Sequence, residues 1–146
     1  MKIAVIDGQG GGLGKTIIEK LRKDLGNQVE IIALGANGVA TSVMLKAGAD
    51  EGASGENAVV HNLENVDIVT GSFSVVIPNS MLGEITSRMV NAIIKSPAVK
   101  YLLPLKNKYI CLMGIKEQPL PRFIEELSDS IMKSFAVSQK HANKGK

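Results

Sequence analysis

Apolar residues fall in two alternating patterns along the chain: short unbroken runs, and longer stretches where they recur every three or four positions. Lys2 to Asp7, Val29 to Leu34 and Val66 to Thr70 are runs of the first kind. None alternates polar with apolar residues, which suits strands covered on both faces. Leu13, Ile17, Leu21 and Leu25 stand four apart and predict an amphipathic helix ended by Gly26, with Glu19 and Lys23 as a supporting ion pair. Gly35-Ala36-Asn37-Gly38 predicts a turn, followed by a short helix from Val39 to about Ala47. Ala49 to Ser54 predicts a short strand and Gly55 to Asn65 a helix, while Phe73 to Gly83 has no regular period and holds Pro78, which disfavours a long strand. Thr86 to Lys95 predicts a helix, and Val99 to Leu103 and Tyr109 to Met113 predict strands. A closing helix is predicted from Pro119 to about Val137, with Phe123, Leu127, Ile131 and Phe135 four apart.

Strand and helix in alternation predict an α/β fold: one three-layer domain over 1–137, with a mostly parallel sheet of five to six strands and helices on both faces. Crossovers are expected to be right-handed. Residues 138–146 are expected to form a basic, solvated tail.

Composition narrows the function more than the fold. Hydrophobic residues make up 45% and charged residues 21%, an ordinary globular balance. The single cysteine, Cys111, excludes a disulfide framework and sits in an apolar run that predicts a buried, inert thiol. Two histidines argue against a histidine-based zinc site, no metal is expected, and His61 is expected on the surface. The net charge of +3 resides in the tail: with Lys140, Lys144 and Lys146 set aside, 14 basic residues balance 14 acidic ones. A neutral body with five aromatic residues gives little footing for nucleic acid. No run is long enough for a membrane helix, and Asp7 and Gly8 break the opening run as no signal peptide would; a cytoplasmic location is expected. The helix from Val39 to Ala47 is apolar nearly all round and needs cover on more than one side, which a second copy of the chain would supply in a homodimer.

Candidate chemistry begins at Asp7-Gly8-Gln9-Gly10-Gly11-Gly12-Leu13-Gly14-Lys15-Thr16, between the first strand and the first helix. Glycine lets a ligand approach the chain with no Cβ in the way, and the first helical turn offers unpaired N–H groups and partial positive charge. A phosphate or nucleotide is therefore the expected ligand class. The glycine spacing G-x-G-x-x-G fails, because Leu13 stands at the third position. Gly8, Gly12 and Gly14 fit G-x-x-x-G-x-G, which resembles the loop of short-chain dehydrogenases. Gly11 to Thr16 also resembles the deviant phosphate loop of partition-type ATPases, with Gly10 where those enzymes carry a lysine. Each resemblance lacks its chemistry. Tyr101 is followed four places on by Leu105 and Tyr109 by Met113, so no Tyr-x-x-x-Lys pair exists, and no second acid follows a strand to hold Mg²⁺. The end of the second strand carries neither the acid that favours NAD nor an arginine that favours NADP; Asn37 serves there as a ribose ligand or a helix cap. NAD, NADP or another nucleotide stay open as cofactor.

Lys15 opposes the helix dipole unless an anion binds beside it. Asp7 either holds loop amides or binds a metal or a ribose. In an open parallel sheet, ligands lie beyond the carboxyl ends of the strands. That rule adds Gly35, Asn37, Gly71, Ser72, Asn79 and Ser80 to the loop residues as candidate contacts, with Glu84 completing a polar cluster.

Ile6 to Gly12 with Gly14-Lys15, Leu45 to Ala49, Gly55 to Ala58, Asn79 to Glu84 and Leu102 to Leu105 resemble, from Met1 to about Ile115, a family of small bacterial proteins known only as domain of unknown function 3842. The resemblance implies a complete chain and carries no activity. The expectation is thus a Rossmann-like domain that binds a small phosphorylated ligand at its first loop. A small enzyme using Asp7, Ser80 and Glu84, or a ligand-free interaction protein, are the alternatives.

Overall fold

A computed structural model describes residues 1–145. Five strands form one parallel sheet in the order β3-β2-β1-β4-β5. They are β1 (Lys2–Asp7), β2 (Glu30–Gly35), β3 (Glu51–Ser54), β4 (Ile68–Ser72) and β5 (Val99–Leu103). Val5 of the central strand pairs with Ala33 on one side and Thr70 on the other. Five helices cover the sheet: α1 (Gly12–Leu25), α2 (Gly38–Lys46), α3 (Glu56–Asn62), α4 (Ser87–Lys95) and α5 (Leu120–Lys144).

The unbroken apolar runs follow from cover on both faces. Ile3 and Val5 face Ile17, Leu21, Met44, Ile124 and Ile131, which belong to α1, α2 and α5. Ala4 and Ile6 face Val59, Met89 and Ile93, from α3 and α4. Each such Ile, Val, Leu or Met side chain, fully buried, contributes about 1.5–3 kcal/mol before entropy is charged against it. β1 and β4 are neighbours although two strands intervene in sequence, because the chain crosses to the other face between β3 and β4. Strand order therefore reverses between β1 and β4, and their carboxyl ends open a crevice at that switch point.

Several expectations need correction. Tyr109 to Met113 forms no strand, so the sheet has five strands among the described residues. The Asn107 side chain accepts the Tyr109 and Ile110 amides, at 2.8 and 3.2 Å, and so removes two donors a ladder would use. Cys111 is consequently exposed. Glu19 lies 3.9 Å from Lys15, and no pair with Lys23 forms; helical side chains lean toward the N-terminus, which carries Glu19 back over the preceding turn. α5 runs to Lys144, so residues 138–144 are exposed helix. Their basic side chains sit where the negative end of the helix dipole favours cations. α2 finds most of its cover within the chain: Met44 packs under α1, and Leu45 lies over Gly52 of β3. Val39, 64% exposed, and part of Leu45, 39% exposed, are what remains of its apolar surface.

Candidate functional site

Asp7, at the end of β1, is buried and sets the shape of the loop that follows. Its Oδ1 accepts the Gly8 amide at 2.8 Å and its Oδ2 the Gly14 amide at 2.7 Å. Burial pushes the carboxyl above its usual range, those amides pull it back, and the charge of Glu84 adds to the rise. Both oxygens are engaged by the backbone, so Asp7 holds the loop rather than offering itself to a metal or a ribose. The turn closes with the Gly11 amide donating to the Gly8 carbonyl at 3.0 Å.

Glycines here divide by what a side chain would meet. At Gly14 a Cβ would lie 2.3 Å from the Met44 sulfur; at Gly8 it would lie 2.8 Å from that of Met81. Gly11 has a left-handed φ of 73°, and its Cβ would lie 2.8 Å from the Ala40 backbone. Gly10 and Gly12 differ from all three. A Cβ on either meets nothing within 4 Å, and neither has a left-handed φ. Their amides have no acceptor among the described residues, whereas the Gln9 amide donates to Glu84 Oε2 at 2.7 Å. The helix mouth is thus partly sealed by the protein's own carboxylates and open at Gly10 and Gly12.

A cleft of about 290 Å³ lies over those two residues. Asp7, Gly8, Gln9, Gly10, Gly11, Gly12, Leu13 and Ser72 line it, together with Ser74, Met81, Leu105 and Lys106. The remaining candidates lie outside. Gly14 is packed on Met44 below the loop, and Lys15 is turned toward Glu19. Gly35 is packed against Thr41, and Gly71 lies 2.5 Å, at its Cβ position, from the Ile6 carbonyl. Asn37 caps α2 by accepting the Ala40 amide at 2.9 Å, and its Nδ2 donates to the Gln9 carbonyl and to Glu84 Oε1. Asn79, at φ 62°, donates its amide to the Ile85 carbonyl, and the Ser80 hydroxyl donates to the Ser74 carbonyl. Glu84 thereby ties three loops together and closes the crevice on the β2 side, leaving it open toward β4 and β5. Leu105 and Lys106, which follow β5, were readable from the rule that ligands gather at strand ends; Ser74 and Met81 carried no signal.

Among the described residues, no group of three or more His, Cys, Asp or Glu is placed to hold a metal ion, and no helix is long and apolar enough to cross a membrane. The family described as Domain of unknown function (DUF3842) matches residues 2–136. No curated protein matches the chain. Among solved structures, the chain is similar to one described as a dodecameric FMN-dependent UbiX-like decarboxylase from Escherichia coli O157:H7. The two are 13% identical with a TM-score of 0.53, over 93% of this chain and 95% of that one, a likeness of fold.

Proposed function

The chain belongs to the DUF3842 family, and from that premise we propose that it binds one phosphorylated small molecule, of mononucleotide rather than dinucleotide size, in the β1–β4 cleft. Gly10 and Gly12 carry the proposal. Neither packing nor backbone conformation requires glycine at these positions, yet both lie at the mouth of α1 with amides that lack an acceptor. Amides at a helix N-terminus suit an anionic oxygen. Size follows from the walls: about 290 Å³ sits at the lower limit for small-molecule sites. The Gln9–Asn37–Glu84 network bars the path over β2 that the second half of a dinucleotide takes. The FMN dependence of the structural neighbour is compatible with this ligand class.

Binding is favoured over turnover because the acids near the cleft have structural tasks: Asp7 holds two amides, and Glu84 joins Gln9 to Asn37. The protein's association with a second copy of itself is part of the proposal, carried by apolar side chains exposed between Tyr109 and Met113.

A thermal-shift panel of FMN, AMP, ribose 5-phosphate and NAD tests the site. A ligand at 100 times its Kd adds about 2.7 kcal/mol, which for a chain of this size raises Tm by roughly 5–10 °C. The expected result is a shift with a monophosphate that Gly12→Val abolishes. A shift that Gly12→Val leaves intact overturns the assignment to this loop.

A further inference from the structure

A second concavity adjoins the cleft. It measures about 440 Å³, and Leu105, Ile115, Leu120 and Phe123 give it apolar walls. Leu105 and Lys106 line both spaces, so the two meet at these residues. One end therefore presents backbone amides and the other hydrocarbon. Lys106 stands at the join and is, among the described residues, the one cation lining the cleft. Its ammonium lies 3.3 Å from Glu117, with both side chains almost fully exposed. A pair that exposed is readily exchanged for a stronger anion.

We infer, resting on the phosphate-binding proposal above, that the ligand is amphiphilic: its phosphate lies on Gly10 and Gly12, and an apolar body fills the groove between Leu105, Ile115, Leu120 and Phe123. Lys106 leaves Glu117 to meet the phosphate. Neither end selects this ligand class alone. A polar sugar phosphate would leave the apolar walls wet, and a neutral lipid would leave the Gly10 and Gly12 amides without an acceptor. Only a molecule carrying both groups uses the two spaces on either side of Leu105.

Titration of the full chain with methyl, butyl, hexyl and octyl phosphate tests this, read by calorimetry and by the Gly10 and Gly12 amide resonances. Affinity is expected to rise by up to about fourfold for each methylene that enters the groove. Ile115→Asn should remove that gain, so that octyl phosphate binds the variant no more tightly than methyl phosphate does. Leu120→Asn, at a separate wall position, should give the same result if Ile115→Asn misfolds. Lys106→Gln should weaken every member by about tenfold, the worth of a charge-assisted contact.

If methyl phosphate moves the two glycine amides but chain length changes nothing, the amphiphile inference is overturned while the phosphate site stands. If long-chain members bind without moving those amides, or if no member binds, both fail together. If the groove variants instead alter the mass of the assembly with no change along the series, the groove is a contact between copies and the inference is likewise overturned.

Discussion

Gly10, Gly11 and Gly12 are adjacent and chemically identical, yet they answer to different constraints. Gly11 is fixed from inside: its left-handed φ and the Ala40 backbone 2.8 Å from its Cβ position leave no place for a side chain. Gly11→Ala is expected to cost about 2 kcal/mol or more, combining the left-handed penalty with a backbone clash. Gly10 and Gly12 face open space, and Gly12 opens α1. Alanine there lowers the entropy of the unfolded chain and favours the helix, so Gly12→Ala is expected to be neutral or to stabilise by up to about 1 kcal/mol. Urea denaturation of the three alanine variants, set beside ligand binding, separates the two constraints. A large loss of stability in Gly12→Ala would return that glycine to a purely structural role and remove the main support for the ligand. The sequence alone displays a cluster of glycines and cannot sort them, because what sorts them is Ala40 and Met44, residues of a helix about thirty positions away.

Elements were legible where one period ran uninterrupted, as in β1, α1 and α5, and less so where tertiary partners decided. Tyr109 to Met113 has the composition of a strand and none of the pairing, because Asn107 takes its first amides. The tie between the loops was hidden for a similar reason. Glu84 lies 75 residues from Gln9 and 47 from Asn37, and nothing local announces that it meets both. A comparable long-range tie joins α1 to α5, where the Ser128 hydroxyl donates to Asp24 at 2.6 Å. That hydroxyl first, and Lys20 after it, hold the Asp24 carboxyl below its ordinary 3.8. The native state therefore gives up this proton more readily than the unfolded chain does. The resulting stability is fully present above the unfolded pKa and is lost as pH falls through the lower native value. Asp24→Asn is expected to cost about 1 kcal/mol at neutral pH and progressively less as pH falls through the native value. Parallel pH titrations of unfolding free energy check this. A wild-type curve that runs parallel to that of Asp24→Asn below pH 4 would show that the tie contributes no stability.

On the scale of the whole molecule, the sheet ends in two unlike edges. β3 has four residues, and its Glu51 pairs with Lys2, which suits an edge exposed to water. β5 ends the sheet on the other side, and the chain that follows it exposes Tyr109 at 85% and Met113 at 90%, with Leu112 partly exposed. Exposed apolar side chains of this kind, where they lie together, mark interaction sites. α2 first suggested a dimer from the sequence, but its surface is mostly spent within the chain; the β5 side is where the area lies. Light scattering at micromolar concentration is therefore expected to give a mass of at least twice the 15.5 kDa chain. Tyr109→Lys combined with Met113→Lys should restore the single-chain mass. Because both side chains are exposed, each substitution should change stability by no more than about 0.5 kcal/mol, so loss of assembly would not reflect loss of fold. A wild-type mass of 15.5 kDa across the concentration range would leave this surface without a second copy to cover it.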